Sequence, residues 1–153
     1  MVTVGVAIGD AARQADVSTR TVRYYEQLGL LMPTHRSPAG TRRYGPDDIA
    51  RLCRIRELQE VMGFNLAEIA TVLETEDRLA ELRQEWQSGN VDSDDRRADI
   101  LQEAMQLNLA LQEQVRSKTA RLDAFLVDLQ ERAERIRVNQ RDLDAAKTEA
   151  AQS

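Results

Sequence analysis

The chain of 153 residues has very few of the residues that build metal centres, disulfide scaffolds and catalytic sites. It contains one cysteine, Cys53, and one histidine, His35. A single thiol excludes an intrachain disulfide framework and an iron–sulfur cluster, which needs several thiolates. The sequence also offers no Ser/His/Asp set and no glycine-rich phosphate loop. We therefore predict that the protein is not an enzyme and that it binds no metal and no other cofactor.

Long hydrophobic runs are absent as well. No apolar stretch approaches 18 residues, so the sequence predicts no membrane span. The first residues, MVTVGVAIGDAA, lack the basic stretch of a secretory signal peptide. Together with the single cysteine, these features favour a reducing, cytoplasmic location.

Glycine and proline are missing from the second half of the chain. All three prolines and six of the seven glycines lie within the first 63 residues, and neither residue occurs after Gly89. This distribution predicts a compact, turn-containing domain over residues 1–75 and a connecting helix and loop over 76–95. A long helix is expected over 96–140, and the alanine-rich, polar tail over 141–153 is expected to fray.

Charge divides the chain in the same way. Residues 13–56 carry nine arginines and four acids, a net charge of 9 − 4 = +5, although the whole chain has a net charge of −5. Residues 76–153 carry 12 basic and 17 acidic residues, a net charge of 12 − 17 = −5. The basic N-terminal segment therefore indicates a polyanionic partner that the acidic helical segment does not share.

The segment VAIGDAARQADVSTRTVRYYEQLGLL predicts a helix, a turn and a second helix. The first helix is expected from Ile8 to Gln14. Ser18 is a good N-cap for the second helix, which is expected to end near Leu28 with Gly29 as a left-handed C-cap. The residues expected to face the core are Ile8, Ala11, Ala12 and Ala15 in the first helix and Val22, Tyr25 and Leu28 in the second.

A basic hairpin and two further helices are predicted next. Four prolines and glycines between Pro33 and Gly45 break helical periodicity and favour a β-hairpin. A helix should follow from Pro46 to Met62, with Cys53 as a small core residue, and should stop at Gly63. Asn65 then caps a short helix over residues 66–74.

The long C-terminal helix carries an apolar stripe with spacings of three and four residues. Such a stripe is typical of a coiled coil, and a helix of this length needs a partner helix, most simply from a second copy of the chain. The residues predicted to form this dimer interface are Leu107, Leu111, Val115, Leu122, Phe125, Leu126, Leu129 and Ile136.

A helix-turn-helix presents its second helix to the major groove of DNA. Arginine there can pair with guanine or clamp a phosphate, and threonine and tyrosine hydroxyls suit phosphate oxygens. The hairpin beside it forms a wing able to reach the backbone or the minor groove. Any one of these arginines alone could be an ordinary solvated charge, and His35 on the wing is a DNA contact or a plain surface residue. The set as a whole favours double-stranded DNA.

Residues from about Val4 to Leu73 resemble the DNA-binding domain of the MerR family of bacterial transcription regulators. The motifs TVRYYEQLGLL, RRY and MGFNLAEI carry this resemblance. It implies a mainly α fold, namely an N-terminal winged helix-turn-helix with a small β-hairpin wing followed by a long coiled-coil dimerisation helix. It further implies a homodimer, joined by an antiparallel coiled coil, that binds a palindromic promoter operator. The bound dimer distorts the promoter spacer and so realigns the promoter elements for RNA polymerase. The residues that it assigns to DNA are Thr19, Arg20, Arg23 and Tyr24 in the helix and Arg36, Arg42, Arg43 and Tyr44 in the wing.

The effector stays open. Metal-sensing members of the family place cysteines near the dimer helix, where this sequence has none. The acids Asp92, Asp94, Asp95 and Asp99 are better explained as a solvated loop and helix N-terminus than as a cation site. Trp86 either packs the linker or lines a small pocket between subunits. An architectural or adaptor protein that works through its acidic coiled coil is the alternative function.

Overall fold

A computed structural model describes residues 5–33, 35–91 and 93–152. The chain forms two compact units, Met1–Gly89 and Asn90–Ser153. Among the described residues, the first holds four α-helices and a two-stranded hairpin, and the second holds one long helix. This mainly α architecture, a winged helix-turn-helix and a long C-terminal helix, confirms the predicted fold class. The finer division into four segments stays a prediction.

The helix-turn-helix consists of α1 (Ile8–Ala15) and α2 (Thr19–Gln27). Small side chains on α1, namely Ala11, Ala12 and Ala15, are buried and allow close packing. The turn contains Asp16 at a positive φ of 55°, a left-handed conformation that aspartate tolerates better than most residues. The Ser18 hydroxyl accepts a hydrogen bond of 3.0 Å from the Thr21 N–H, which confirms the predicted N-cap.

The end of α2 also follows the prediction, except at one side chain. Gly29 has a φ of +72°, and the Leu30 N–H donates to the Tyr25 carbonyl at 3.0 Å, as in a left-handed C-cap. Val22 and Tyr25 are buried, but Leu28 is 45% exposed. The prediction that Leu28 faces the core was wrong, since Leu30 and Leu31, just past the cap, supply buried apolar side chains there.

The wing is a short antiparallel hairpin of β1 (His35–Arg36) and β2 (Arg42–Arg43). His35 pairs with Arg43, and Arg36 pairs with Arg42. The next residue, Tyr44, exchanges two backbone hydrogen bonds of 2.8 and 2.9 Å with Val6. Val6 thus extends the hairpin by one bridge and anchors the base of the wing.

Helix α3 (Pro46–Arg56) continues into a π-helical turn over Glu57–Val61. Gly63, at a φ of +64°, follows the end of this helix as predicted. The helix buries Leu52 and Ile55, whereas Cys53 is exposed. The prediction of a core position for Cys53 was wrong, because one residue rotates a side chain by about 100° around a helix, away from the face that Leu52 and Ile55 share.

Helices α4 and α5 are both longer than the sequence indicated. Asn65 and Glu68 form a reciprocal capping box with two bonds of 2.9 Å, and α4 then runs over Leu66–Gln87 instead of ending near residue 74. Helix α5 covers Asp94–Ala151, so it begins before residue 96 and continues past residue 140 through most of the tail that was expected to fray. No helix in the described part of the chain has the length and apolarity to cross a membrane.

The close approach of Gly5 to Tyr44 gives a test of this fold. A Cβ on Gly5 would lie 2.7 Å from the Tyr44 carbonyl oxygen, and the φ of Gly5 is +87°. We expect Gly5→Ala to lower the free energy of unfolding by about 1–3 kcal/mol, through strain and loss of the bridge to the wing. Urea denaturation followed by circular dichroism measures this change.

Gly9→Ala is the matched control. A Cβ at Gly9, within α1, meets no atom within 4 Å. That substitution should raise stability by about 0.5–1 kcal/mol through helix propensity. Equal effects of the two substitutions would contradict the importance of the bridge.

Candidate nucleic-acid interface

The outer face of α2 brings together the polar residues that the sequence assigned to DNA. Thr19, Arg20, Arg23 and Tyr24 are all exposed, and they line a surface groove of about 740 Å³ together with Thr21 and Gln27. Neither Arg20 nor Arg23 forms an ion pair with any residue that the structure describes. Two guanidinium groups on one exposed helix face are well placed to meet an anionic partner.

The two adjacent tyrosines of α2 have different environments. Tyr24 is 47% exposed on the groove side. Tyr25 is buried, and its hydroxyl donates a hydrogen bond of 2.8 Å to the Gln59 side-chain oxygen in the π-helical turn. Burial, helped by the Glu60 carboxylate, raises the pKa of Tyr25. Tyr25 therefore attaches α2 to the core and leaves Tyr24 on the outer face.

The three wing arginines also differ. Arg36 is exposed and donates to the Gly40 carbonyl at 3.0 Å, within the hairpin itself. Arg42 forms an ion pair with Glu26 of α2. Arg43 is partly buried and donates to the Gly5 carbonyl at 3.2 Å, while its buried Nε has no partner within the described residues. Arg36 and Arg42 are thus more accessible than Arg43.

Tyr44 does not occupy the exposed position that its assignment to DNA requires. Its side chain is only 2% exposed, and its hydroxyl donates to the Glu26 carboxylate. Burial, followed by this hydrogen bond, raises the pKa of Tyr44. Tyr44 points to the same side of the hairpin as Arg42, toward Glu26 of α2, and its backbone bridge to Val6 holds the phenol in the base of the wing.

Glu26 is the important residue that sequence analysis did not select. Its side chain is only 8% exposed, and its two carboxylate oxygens accept from Arg42 and Tyr44 separately. One acid on the recognition helix thus binds two residues of the wing. It is the only acidic residue between Asp16 and Asp47, and that isolation within a basic segment was the available sequence signal.

Comparison with known proteins agrees with this geometry. Residues 6–76 match the family model described as the MerR HTH family regulatory protein. The HTH-type transcriptional regulator YfmP of Bacillus subtilis is 32% identical over 106 residues, which cover 68% of this chain and 75% of YfmP. The chain belongs to the MerR family of transcriptional regulators.

Two other similar proteins share different fractions of their length with this chain. The HTH-type transcriptional activator TipA of Streptomyces coelicolor is 43% identical over 68 residues, 44% of this chain and 26% of TipA. The lead(II)-bound transcription regulator PbrR691 of Ralstonia metallidurans CH34 has a TM-score of 0.47 and 28% identity, with 82% of this chain and 83% of that one covered. MerR-family regulators bind DNA through the helix-turn-helix, and their function is not enzymatic.

Three further arginines of this MerR-type domain serve its internal packing. Arg51 donates to the Leu30 carbonyl at 2.5 Å and to both Asp77 oxygens at 2.7 and 2.9 Å. Arg54 binds Glu76 of α4, and this hydrogen bond raises the pKa of Arg54. They and Arg56, which pairs with Asp16 in the turn at 3.0 Å, are poorly placed to supply free positive charge.

No group of three or more possible metal ligands occurs within residues 5–33, 35–91 and 93–152. Asp94 and Asp95 lie in the first turn of α5, where acids complement the helix dipole. The Asp94 Oδ1 is 3.4 Å from the Arg97 Nη1. Asp92 lies outside the described residues. Trp86 is exposed near the end of α4.

The buried phenol of Tyr44 gives a test based on pH. We expect Tyr44→Phe to lower the free energy of unfolding by about 1.5–3 kcal/mol near pH 8, because a hydrogen bond to a charged acceptor is lost. The difference in the free energy of unfolding between wild type and Tyr44→Phe should have its full value below about pH 10, the ordinary pKa of tyrosine. It should shrink at higher pH, because the unfolded chain then ionises this phenol before the folded chain does. Denaturant titrations of both proteins from pH 8 to 11 measure the difference, and an advantage that grew with pH would contradict the assignment.

Proposed function

We propose that the protein is a homodimeric transcription regulator that binds a palindromic promoter operator. In each protomer α2 lies in the major groove, with Arg20, Arg23 and Tyr24 toward the DNA, while Arg36 and Arg42 of the wing approach the backbone. The observation that carries this proposal is the exposed pair Arg20 and Arg23, without acidic partners in the described chain, on the face that such a helix turns toward DNA. A two-fold operator matches a two-fold dimer.

The exposed stripe of α5 supports the dimer. Val115, Leu122, Phe125, Leu126, Leu129 and Ile136 are each between 42% and 61% exposed. At 58 residues α5 is roughly 87 Å long at 1.5 Å per residue. A solvated helix of this kind gains little by itself from apolar side chains, whereas a partner helix would bury the whole stripe. The proposed interface also includes the half-buried Leu107 and Leu111.

The proposed mode of regulation is distortion of the promoter spacer, which changes how RNA polymerase meets the promoter elements. A rigid dimer with two wings can favour deformed DNA without reading every base, because DNA deformability depends on sequence. No effector is assigned.

Arg23→Ala tests the interface. We expect it to weaken binding to the operator by about tenfold and to lower the salt slope of binding by about one if the guanidinium meets a phosphate. The operator is first obtained by in vitro selection from random duplexes, and affinities are then measured by fluorescence anisotropy at several salt concentrations.

Arg83→Ala is the matched control, since Arg83 is an exposed arginine on α4 and does not line the groove of α2. Its affinity and salt slope should equal those of the wild type. An unchanged affinity in Arg23→Ala would remove Arg23 from the interface. A selection that yielded no preferred sequence would favour an architectural or adaptor function instead.

Phe125→Glu tests the dimer. We expect sedimentation equilibrium to give about 35 kDa for the wild type and a shift toward the monomer mass of 17.3 kDa for the variant. The added carboxylates would have to be buried in the apolar seam, which is costly. Ala120→Glu adds the same group on the opposite face of α5 and should leave the dimer intact. Equal masses for wild type and Phe125→Glu would contradict the proposed seam.

A further inference from the structure

An acid whose side chain is largely covered by the wing is unexpected on a recognition helix. Non-specific attraction to DNA depends on the positive charge that the protein presents, so one carboxylate there weakens it. Glu26 nevertheless lies on α2, one helical turn from Arg23. It lines a cleft of about 460 Å³ between α2 and the wing, and Arg23 and Gln27 line both this cleft and the outer groove of α2.

The contacts of Glu26 indicate what it contributes. Its two oxygens accept from different wing groups, the Arg42 Nη1 and the Tyr44 hydroxyl. Tyr44 is immobilised by burial and by its backbone bridge to Val6, so it fixes the carboxylate against the base of the wing. The Arg42 side chain stays 54% exposed although it is paired.

A guanidinium has five N–H donors in a planar fork, and the described contacts of Arg42 use one nitrogen. A carboxylate on one edge fixes the plane and leaves the remaining donors toward solvent. An exposed arginine without such a partner loses more side-chain entropy when it binds a phosphate. The pairing therefore prepares Arg42 for one direction of contact.

We propose that Glu26 is a positioning residue for specific DNA recognition. It orients Arg42 and holds the wing against α2, and it makes no contact with the DNA itself. Its charge reduces attraction to any duplex, while the orientation that it imposes favours the operator. Glu26 thus raises the ratio of operator binding to non-specific binding. This inference rests on the proposed DNA-binding function.

Two substitutions of Glu26 separate charge from position. Glu26→Gln removes the charge, but its amide oxygen can still accept from Arg42 and its NH₂ can donate to the Tyr44 hydroxyl. Glu26→Ala removes both the charge and the acceptor. The probes are the selected operator and a random-sequence duplex of equal length, measured by fluorescence anisotropy at a temperature where circular dichroism shows each variant folded.

We expect both variants to bind the random duplex slightly tighter than the wild type, by about twofold, because each loses one negative charge near the DNA. Operator affinity should depend on the acceptor instead. It should fall by about tenfold in Glu26→Ala and by less than about threefold in Glu26→Gln, if orientation of Arg42 contributes as much as a typical interface arginine. Glu74→Gln, which removes an equal charge from an exposed position on α4, should change neither affinity.

A double-mutant cycle tests the route through Arg42. In the Arg42→Ala background, Glu26→Ala should change operator affinity much less than the roughly tenfold loss expected in the wild-type background. If Glu26→Ala does not fold, Glu26→Asp takes its place in the cycle, because it keeps the charge and shortens the reach of the carboxylate to Arg42.

The inference is overturned if the Glu26 variants lose affinity for the operator and the random duplex together, or if Glu26→Ala keeps wild-type operator affinity. It is also overturned if the effects of the Glu26 and Arg42 substitutions on operator binding energy simply add. If the wild type binds the operator and the random duplex equally well, the proposed function is overturned. If Arg23→Ala weakens operator binding as expected but the Glu26 variants bind like the wild type, only this inference is overturned.

Discussion

The hydrogen bond between the Tyr44 hydroxyl and the Glu26 carboxylate is the contact on which the DNA-binding unit depends most. Tyr44 lies at the end of β2, pairs through its backbone with Val6 and reaches α2 through its side chain. Three segments that are distant in sequence therefore meet at one buried phenol. A two-residue strand pair gains little stability from its own backbone bonds, so the wing owes its orientation largely to this junction.

The positive charge of the N-terminal segment has two different uses. Arg51, Arg54 and Arg56 on α3 pair with acids of α4 and of the turn after α1, and these pairs connect the helices behind the recognition face. Arg20 and Arg23 make no such pair in the described chain and supply the net charge of α2. A formal sum over the segment therefore overstates its free charge, because each arginine that is bound to a carboxylate contributes little to the field at a distance.

Local sequence rules predicted both ends of α2 and the start of α4 well, because Ser18, Gly29 and Asn65 fix these termini through contacts within a few residues. The errors came from tertiary contacts. Cys53 and Leu28 lie one step from the buried face, where periodicity alone does not decide. The family resemblance assigned Tyr44 to DNA, yet its burial depends on Val6 and Glu26, 38 and 18 residues away. No local pattern contains that information.

The long helix α5 differs from the wing, because most of its apolar side chains are exposed. Within the described part of α5 only Ile100 is buried, and the remaining apolar side chains of its stripe stay exposed or half-exposed. A single helix with this pattern gains stability from side-chain pairs such as Arg137 with Glu134, each worth about 0.2–0.5 kcal/mol, whereas burial of one leucine is worth about 1.5–3 kcal/mol. Burial of the apolar stripe against another apolar surface would therefore stabilise α5 more than its side-chain pairs do.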